Sequence, residues 1–390
     1  MSVAALKTAE WLIRPETQRI FAILDGASGR TRAVGGIVRD TILDCLQDHP
    51  DIDMATELAP DEVVARAKAA GISCYPTGIA HGTVTLKLGA TLVEVTTLRR
   101  DVETDGRHAL VAFDADWHED ASRRDFTLNA LYCDAKGTLF DPLVGVRDAV
   151  AGKVRFIGDP ASRIAEDGLR VFRFFRFSAS HGQEHHDRDG LRACEEAVPQ
   201  LGHLSRERVG SEMMRMLALP RIATTLRQMA AIGLLEVRKE ALAALRRYQA
   251  LGGRSAPARL ALLAGGRLEE QQGDWRLSND TIEAARQITL ASGLLEADRI
   301  GEAAYRFGEA TVEGLAVAAA GRDWNADRLA ETARMLATTI VPPFPLSGRD
   351  LLDLGMTPGP AIGQLLSRLE RAWIDSGFVL DRDELLALRN

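Results

Sequence analysis

The chain has 390 residues, 46% hydrophobic and 26% charged, with 48 Lys and Arg against 55 Asp and Glu for a formal net charge of −7. This ordinary globular composition excludes a disordered acidic tail and a collagen-like or low-complexity chain. The length exceeds one compact core and predicts two to four domains or a multi-lobed helical body. The acidic balance, taken alone, leans against a nucleic-acid partner, because phosphate binding usually leaves a basic footprint.

The first 17 residues lack a long apolar run and are broken by charges and Pro15, so they do not read as a signal peptide. No apolar run approaches the roughly 18 residues of a membrane span. Cys45, Cys74, Cys133 and Cys194 stand far apart without a C-x-x-C pair, which suits reduced thiols better than disulfides or zinc. A soluble cytoplasmic protein is expected. Residues 31–34 predict a short strand ending at Gly35 and Gly36, and 37–44 a helix. A second strand is expected at 51–55, with Pro60 opening a helix through Ala70. Segments 82–88 and 91–97 alternate with the strand period around Gly89 and Ala90 and predict a hairpin. A polar stretch, 101–120, then precedes RRDFTLNALYCD (123–134), which reads as a helix start running into a strand. From Pro160 onward apolar residues recur every three or four positions, so the rest is helical. The prolines at 342–345 mark a joint before a final helical piece.

Asp51 and Asp53 fall two apart on a strand and point to one face. Adjacent carboxylates repel and are stable together mainly around a cation. Mg2+, a hard ion that keeps positions for water and phosphate oxygens, is the natural choice. In AVGGIVRD (33–40), Gly35 and Gly36 lie between a strand and a helix start, where free N–H groups form an anion site. Arg39 lies in the first turn, within reach of the same phosphates. A glycine helix mouth followed closely by a carboxylate strand outlines a nucleoside-triphosphate site. Glu94 on the hairpin offers a third carboxylate, an exposed strand residue being the plain alternative.

AVGGIVRD, DIDMAT (51–56), RRDFTLNA (123–130), DPLVGVRDA (141–149) and EDGLRVFRFFRF (166–177) occur in order. In this they resemble the class II tRNA nucleotidyltransferase and bacterial poly(A) polymerase family. LSRERVGSEMMRML (204–217) looks like the family's later helical motif, and 348–363 extends the likeness into the tail. The resemblance implies an α+β fold: a nucleotidyltransferase head with a small mixed sheet, then an all-helical neck, body and tail. The corresponding divisions are 1–150, 151–220 and 221–390, the last a tRNA-binding region.

Asp159 and Pro160 make a good helix start, so one helix is expected from 160 to about 180. On it Asp167 and Arg170 would share a face. Cytosine and adenine both offer an exocyclic amino donor beside a ring-nitrogen acceptor, whereas uracil and guanine offer the opposite order. An aspartate that accepts beside an arginine that donates fits C and A, and a wrong base leaves unpaired groups costing roughly 1–3 kcal/mol each. The resemblance implies that base-reading role for Asp167 and Arg170. Arg173 and Arg176, threaded among phenylalanines, need phosphate or carboxylate partners. Arg124 matches the family's triphosphate- or sugar-contacting arginine, while Asp125 and Asn129 hold the turn. Ser205 reads as a helix cap, and Arg208 and Glu212, four apart, as structural. His185, His186 and Asp187 read as a solvated loop, and 101–120, with Asp101, Glu103, Asp105, Asp114, Asp116, Glu119 and Asp120, as a charged flexible one. The glycines of 358–366 open a helix that is either a phosphate cradle or a cap; by resemblance the tail holds the tRNA elbow.

The resulting expectation is Mg2+-dependent addition of CMP and AMP from CTP and ATP to the tRNA 3′ end, with two metal ions and Asp51 and Asp53 as ligands. A poly(A) or A-only polymerase shares these motifs, and a non-catalytic RNA-binding protein is the rival from another class. No protein partner is expected. Asp44 and Cys45 stand where the family usually has Leu-Gly before the carboxylate loop. The arginines at 39, 123–124 and 170–176 predict a locally basic cleft on an acidic protein.

Overall fold

The structure is a computed structural model and describes residues 1–48, 50–79, 82–105, 108–112 and 115–389. The described chain divides into two compact units, Met1–Leu235 and Glu236–Asn390. The first contains a seven-stranded mixed sheet in the order β3-β4-β5-β2-β1-β8-β9. Its strands are β1 (Thr31–Val34), β2 (Ile52–Thr56), β3 (Ser73–Gly78), β4 (Thr83–Leu88), β5 (Thr91–Thr97), β8 (Tyr132–Cys133) and β9 (Leu139–Phe140). Neighbours run antiparallel except β2 and β5, which are parallel.

Alternation decides which side of the sheet is core. Ile52, Met54, Val84, Leu86, Val93 and Val95 face helices Pro15–Ile23, Gly36–Leu43 and Pro60–Ala69, joining Ile20, Phe21, Ile37, Val38, Ile42 and Val63 in one apolar cluster. The intervening residues, Asp53 and Glu94 among them, turn to the opposite face and remain exposed. That face closes only at one end, where Val34, Ala55, Leu98, Trp117, Ala121 and Tyr132 form a smaller core.

The stretch read as a charged flexible loop instead holds a two-stranded antiparallel hairpin, β6 (Arg100–Asp105) and β7 (His108–Ala112), and the helix Trp117–Ser122. Asp116 caps that helix by accepting from the His118 and Glu119 N–H groups at 2.8 Å, and Glu119 reciprocates. Asp114 lies outside the described residues. Arg124 follows this helix rather than opening one; RRDFTLNALYCD continues as a single 3-10 turn, Thr127–Asn129, into β8.

The expected single helix over 160–180 is two helices, Pro160–Glu166 and Leu169–Ser180. Asp167 breaks it. Its backbone is extended, and its Oδ1 accepts the Leu169 N–H at 3.1 Å, which competes with helix continuation. A Cβ on Gly168 would lie 2.8 Å from Leu201 Cδ2, so that side chain would have to shift to admit a larger residue. The second helix buries Val171, Phe172, Phe174, Phe175 and Phe177. Phe174 stacks on Phe156 with ring centres 5.4 Å apart, and Phe126 packs edge-on against Phe177 at 5.6 Å.

The second unit is helical throughout its described residues. Asn279–Glu296 packs on Ala310–Arg322 through small residues: a Cβ on Gly314 would stand 2.8 Å from the Ala291 Cβ. The final piece, Gly348–Asp353, Pro360–Asp375 and Arg382–Ala387, surrounds Trp373, whose ring meets Tyr305, Phe344 and Phe378. Gly359 precedes Pro360 at the start of its helix, as a cap residue would. No helix among the described residues is long and apolar enough to cross a membrane.

Candidate active site

Strand register assembles the carboxylates. Asp53 on β2 lies directly opposite Glu94 on β5, and Asp51 stands two residues earlier, just ahead of the strand. All three are exposed on the open face. Protein atoms nevertheless crowd Asp53, and burial of its carboxyl, followed by the charges of Glu94 and Asp51, pushes its pKa up to about 6. The nearby Arg124 opposes that rise. Hard oxygen donors that raise Asp53 despite Arg124 fit a divalent cation, which would relieve the repulsion that remains.

The glycine turn arrives at the same place. Ala33 pairs with Met54 across β1 and β2, so Val34 runs beside Asp53, and Gly35 and Gly36 follow at the level of Asp51. Gly35 adopts φ 77°, which favours glycine, and donates its N–H to Leu131 at 2.9 Å. The first turn of Gly36–Leu43 thereby begins beside the carboxylates with its N–H groups free of helical partners.

Arg39 is 5% exposed and lies beneath this turn. It donates to Asn129 Oδ1 and to both Asp40 oxygens, at 2.7 and 3.0 Å. Asn129 donates to Asp125 Oδ1 at 3.1 Å, and Asp125 Oδ2 accepts from Arg173 at 2.7 Å. Arg173 in turn lies 3.7 Å from Glu212, which accepts from Arg176 at 2.5 Å. A continuous charged chain thus runs from the glycine turn to the helix Arg206–Leu217. Burial would raise the Asp125 carboxyl, but Arg173 and Asn129 outweigh it and hold the pKa below the ordinary value.

Arg124 is fixed by groups that the sequence reading passed over. Asp120, 1% exposed, accepts from Arg124 at 3.0 Å and from the Tyr132 hydroxyl at 2.8 Å through one oxygen, and from Arg123 through the other. The spacing of Asp120 to Arg123 and Arg124, three and four residues, was the available signal.

Asp167 and Arg170 are neighbours across a helix break, not partners on one helix face. Asp167 Oδ2 accepts from Arg208 at 2.8 Å, while Arg170 donates to Glu166 at 2.7 Å and to the Arg163 and Arg123 carbonyls at 2.9 and 3.1 Å. Arg208 therefore serves Asp167 rather than Glu212. The arginines at 39, 123, 124, 170, 173 and 176 all meet carboxylates, so they do not form the uncompensated basic cleft that their clustering predicts. The 185–187 segment is not simply solvated either. Asp187 caps Arg188–Ala197, and His186 packs against Phe174 and Phe175, where burial lowers its pKa to about 4.

Residues 31–155 match the family described as poly A polymerase head domain. Residues 187–246 match the family described as probable RNA and SrmB-binding site of polymerase A. The mitochondrial CCA tRNA nucleotidyltransferase 1 of Mus musculus is 32% identical over 374 residues, covering 91% of this chain and 85% of that protein. The CCA-adding enzyme of Limosilactobacillus fermentum is 30% identical, covering 94% of each chain. Among solved structures, the Bacillus stearothermophilus CCA-adding enzyme in complex with CTP superposes with a TM-score of 0.73 at 26% identity, over 93% of this chain and 94% of that one.

Proposed function

From the premise that the chain belongs to the CCA tRNA nucleotidyltransferase family, we propose that it adds CMP and AMP, from CTP and ATP, to the tRNA 3′ end. The observation that carries this reading is the register-fixed trio of Asp51, Asp53 and Glu94 beside the glycine helix mouth. In the reaction the 3′-hydroxyl oxygen bonds to the α-phosphorus, the bond to pyrophosphate breaks, and the hydroxyl proton passes to solvent.

Asp51 and Asp53 hold the divalent cation, with Glu94 as the neighbouring third carboxylate. Mg2+, when bound, supplies the Lewis acidity that favours the ionised hydroxyl and neutralises charge on the phosphates. The backbone around Gly35 and Gly36 receives the triphosphate. Arg124, aimed by Asp120 and Tyr132, adds a fixed positive charge close to Asp53. Arg39, Asn129, Asp125, Arg173, Glu212 and Arg176 hold the turn and the neck in a common frame; for Arg173 and Arg176 the buried carboxylate partners favour this structural role.

Asp167 and Arg170 read the base. Arg170 spends three of its guanidinium N–H groups on Glu166 and two carbonyls, which fixes its plane and leaves others free to donate. Asp167 is held open by Arg208 and supplies the acceptor. The head at 1–150, the neck at 151–220 and the tRNA-binding body and tail at 221–390 complete the reading.

The test is purified protein with Mg2+ and a tRNA that ends before CCA, given CTP and ATP singly and together. CTP alone should add cytidines, and both together should complete CCA. Incorporation of A without prior C would replace this reading with an A-adding or poly(A) enzyme.

A further inference from the structure

The proposed chemistry leaves one cluster of ligating side chains unused. Helix Gly36–Leu43 ends at Asp44, whose left-handed backbone (φ 58°) turns the chain back over the last turn. The Cys45 N–H then bonds the Asp40 carbonyl at 3.0 Å, and Cys45 Sγ comes to rest 3.7 Å from Asp40 Oδ1. From the neck, His181 follows Leu169–Ser180 and brings Nε2 to 3.0 Å from the same oxygen. The sulfur, nitrogen and oxygen donors all lie within 4.8 Å of one another.

We propose that Asp40, Cys45 and His181 form a separate site for a borderline-soft divalent cation of the Zn2+ class, which clips the glycine helix to the neck helix. The donor set differs in kind from the oxygen trio on β2 and β5. Thiolate and imidazole favour Zn2+ over Mg2+. Ordinary Zn²⁺–ligand lengths in a tetrahedron give donor separations of about 3.3–3.7 Å. The observed 3.7 and 3.0 Å need adjustments of only a few tenths of an ångström, and the sulfur-to-nitrogen separation, within 4.8 Å, must come into the same range.

Local chemistry supports ligation. His181 Nε2 now donates to Asp40; the Ser180 hydroxyl, 2.6 Å from Nδ1, is the outer partner that would accept the ring N–H at Nδ1 when Nε2 turns to the cation. Binding expels the Cys45 thiol proton to solvent as the metal–sulfur bond forms. Cys45 is exposed, which gives the ion and its fourth ligand, a water, an open approach. Asp40 Oδ1 also accepts from Arg39 Nε; on ligation Arg39 keeps Asp40 Oδ2 and Asn129.

Co2+ is the probe, titrated into chelator-stripped full-length protein. The expected result is thiolate-to-cobalt charge-transfer absorption saturating at one equivalent. Cys45→Ser should abolish that band, and His181→Gln should weaken Co2+ binding at least about tenfold. Zn2+ should raise the Tm of the unsubstituted protein and leave that of Cys45→Ser unchanged, with the metal-free Tm of both proteins as the folding control. No thiolate band, or a band that survives Cys45→Ser, would overturn the site. Unaltered binding in His181→Gln would overturn the three-ligand assignment. The cytidine-incorporation assay is independent of this outcome.

Discussion

At Asp53, burial and the charges of Glu94 and Asp51 press the carboxyl towards its neutral form, from the ordinary 3.8 to about 6. The folded state therefore binds this proton more tightly than the unfolded state. Between about pH 4 and 6 the unfolded chain releases a proton that the folded one keeps, so stability falls as pH rises through that window. Above it the penalty is complete. Asp53→Asn should consequently stabilise the metal-free protein at pH 7, by on the order of 1 kcal/mol once solvent screening of this exposed group is counted. Thermal unfolding at pH 5 and 7 checks this, with about half of the pH 7 gain already present at pH 5. The same substitution should lower cytidine incorporation by at least about 10³-fold, as loss of several kcal/mol of charge stabilisation requires. At limiting Mg2+, incorporation by the unsubstituted enzyme should climb through about pH 6. Saturating Mg2+ should move that rise to lower pH, because cation and proton compete for one carboxylate. Asp167→Ala removes the proposed base acceptor and should admit UTP or GTP in single-nucleotide incorporation; unchanged selectivity would exclude Asp167 as the reader.

Among the elements, the neck helix Leu169–Ser180 bears the largest consequences of single changes. Glu212 is 4% exposed and receives Arg176 and, at longer range, Arg173. Glu212→Ala leaves these cations without their shared carboxylate and should cost about 3–5 kcal/mol, read from the midpoint of urea unfolding. Arg215→Ala, whose exposed side chain lies 4.0 Å from the same carboxylate, should stay within about 0.5 kcal/mol of the parent. The sequence carried this helix's apolar content but not its start. Asp167 looks like an interior helix residue; the extended backbone and the bond from the Leu169 N–H that break the chain there appear only in the folded structure. Strands with clear alternation, 31–34, 82–88 and 91–97, were legible almost to the residue. Strand β3 was not: it lies at the sheet edge, contains Pro76 and buries none of its residues, so no period-two pattern marks it. The β6–β7 hairpin was hidden because the charges of β6 and of 114–120 make the stretch polar as a whole, although β7 itself is apolar apart from His108. In the site, Asp51, Asp53, Glu94 and the glycines were legible because strand period and turn chemistry act locally. Glu212 and the link from Asp40 to His181 were not, because those partners come together only through tertiary packing, whereas Asp120 carried a local signal in its spacing to Arg123 and Arg124.

For the whole molecule, the charge of −7 does not decide the partner, but neither do the clustered arginines of the cleft, which are matched by internal carboxylates. Arg221 and Arg227 lie within 187–246, the stretch that matches the RNA-binding family. On this account tRNA affinity falls steeply with salt, and Arg221→Ala or Arg227→Ala each weakens binding and lowers the salt slope by up to about one. Filter binding across a salt series measures both. The central claim is that one metal-dependent carboxylate site builds CCA by reading bases without a template. Its most direct test is the 3′-end sequence of a tRNA lacking CCA after incubation with the protein, Mg2+ and all four nucleoside triphosphates. The account predicts ends of C, CC and finally CCA, with no uridine, no guanosine and no extension past the single A. A run of adenosines, a lone A on the shortened end, or unextended tRNA would contradict it.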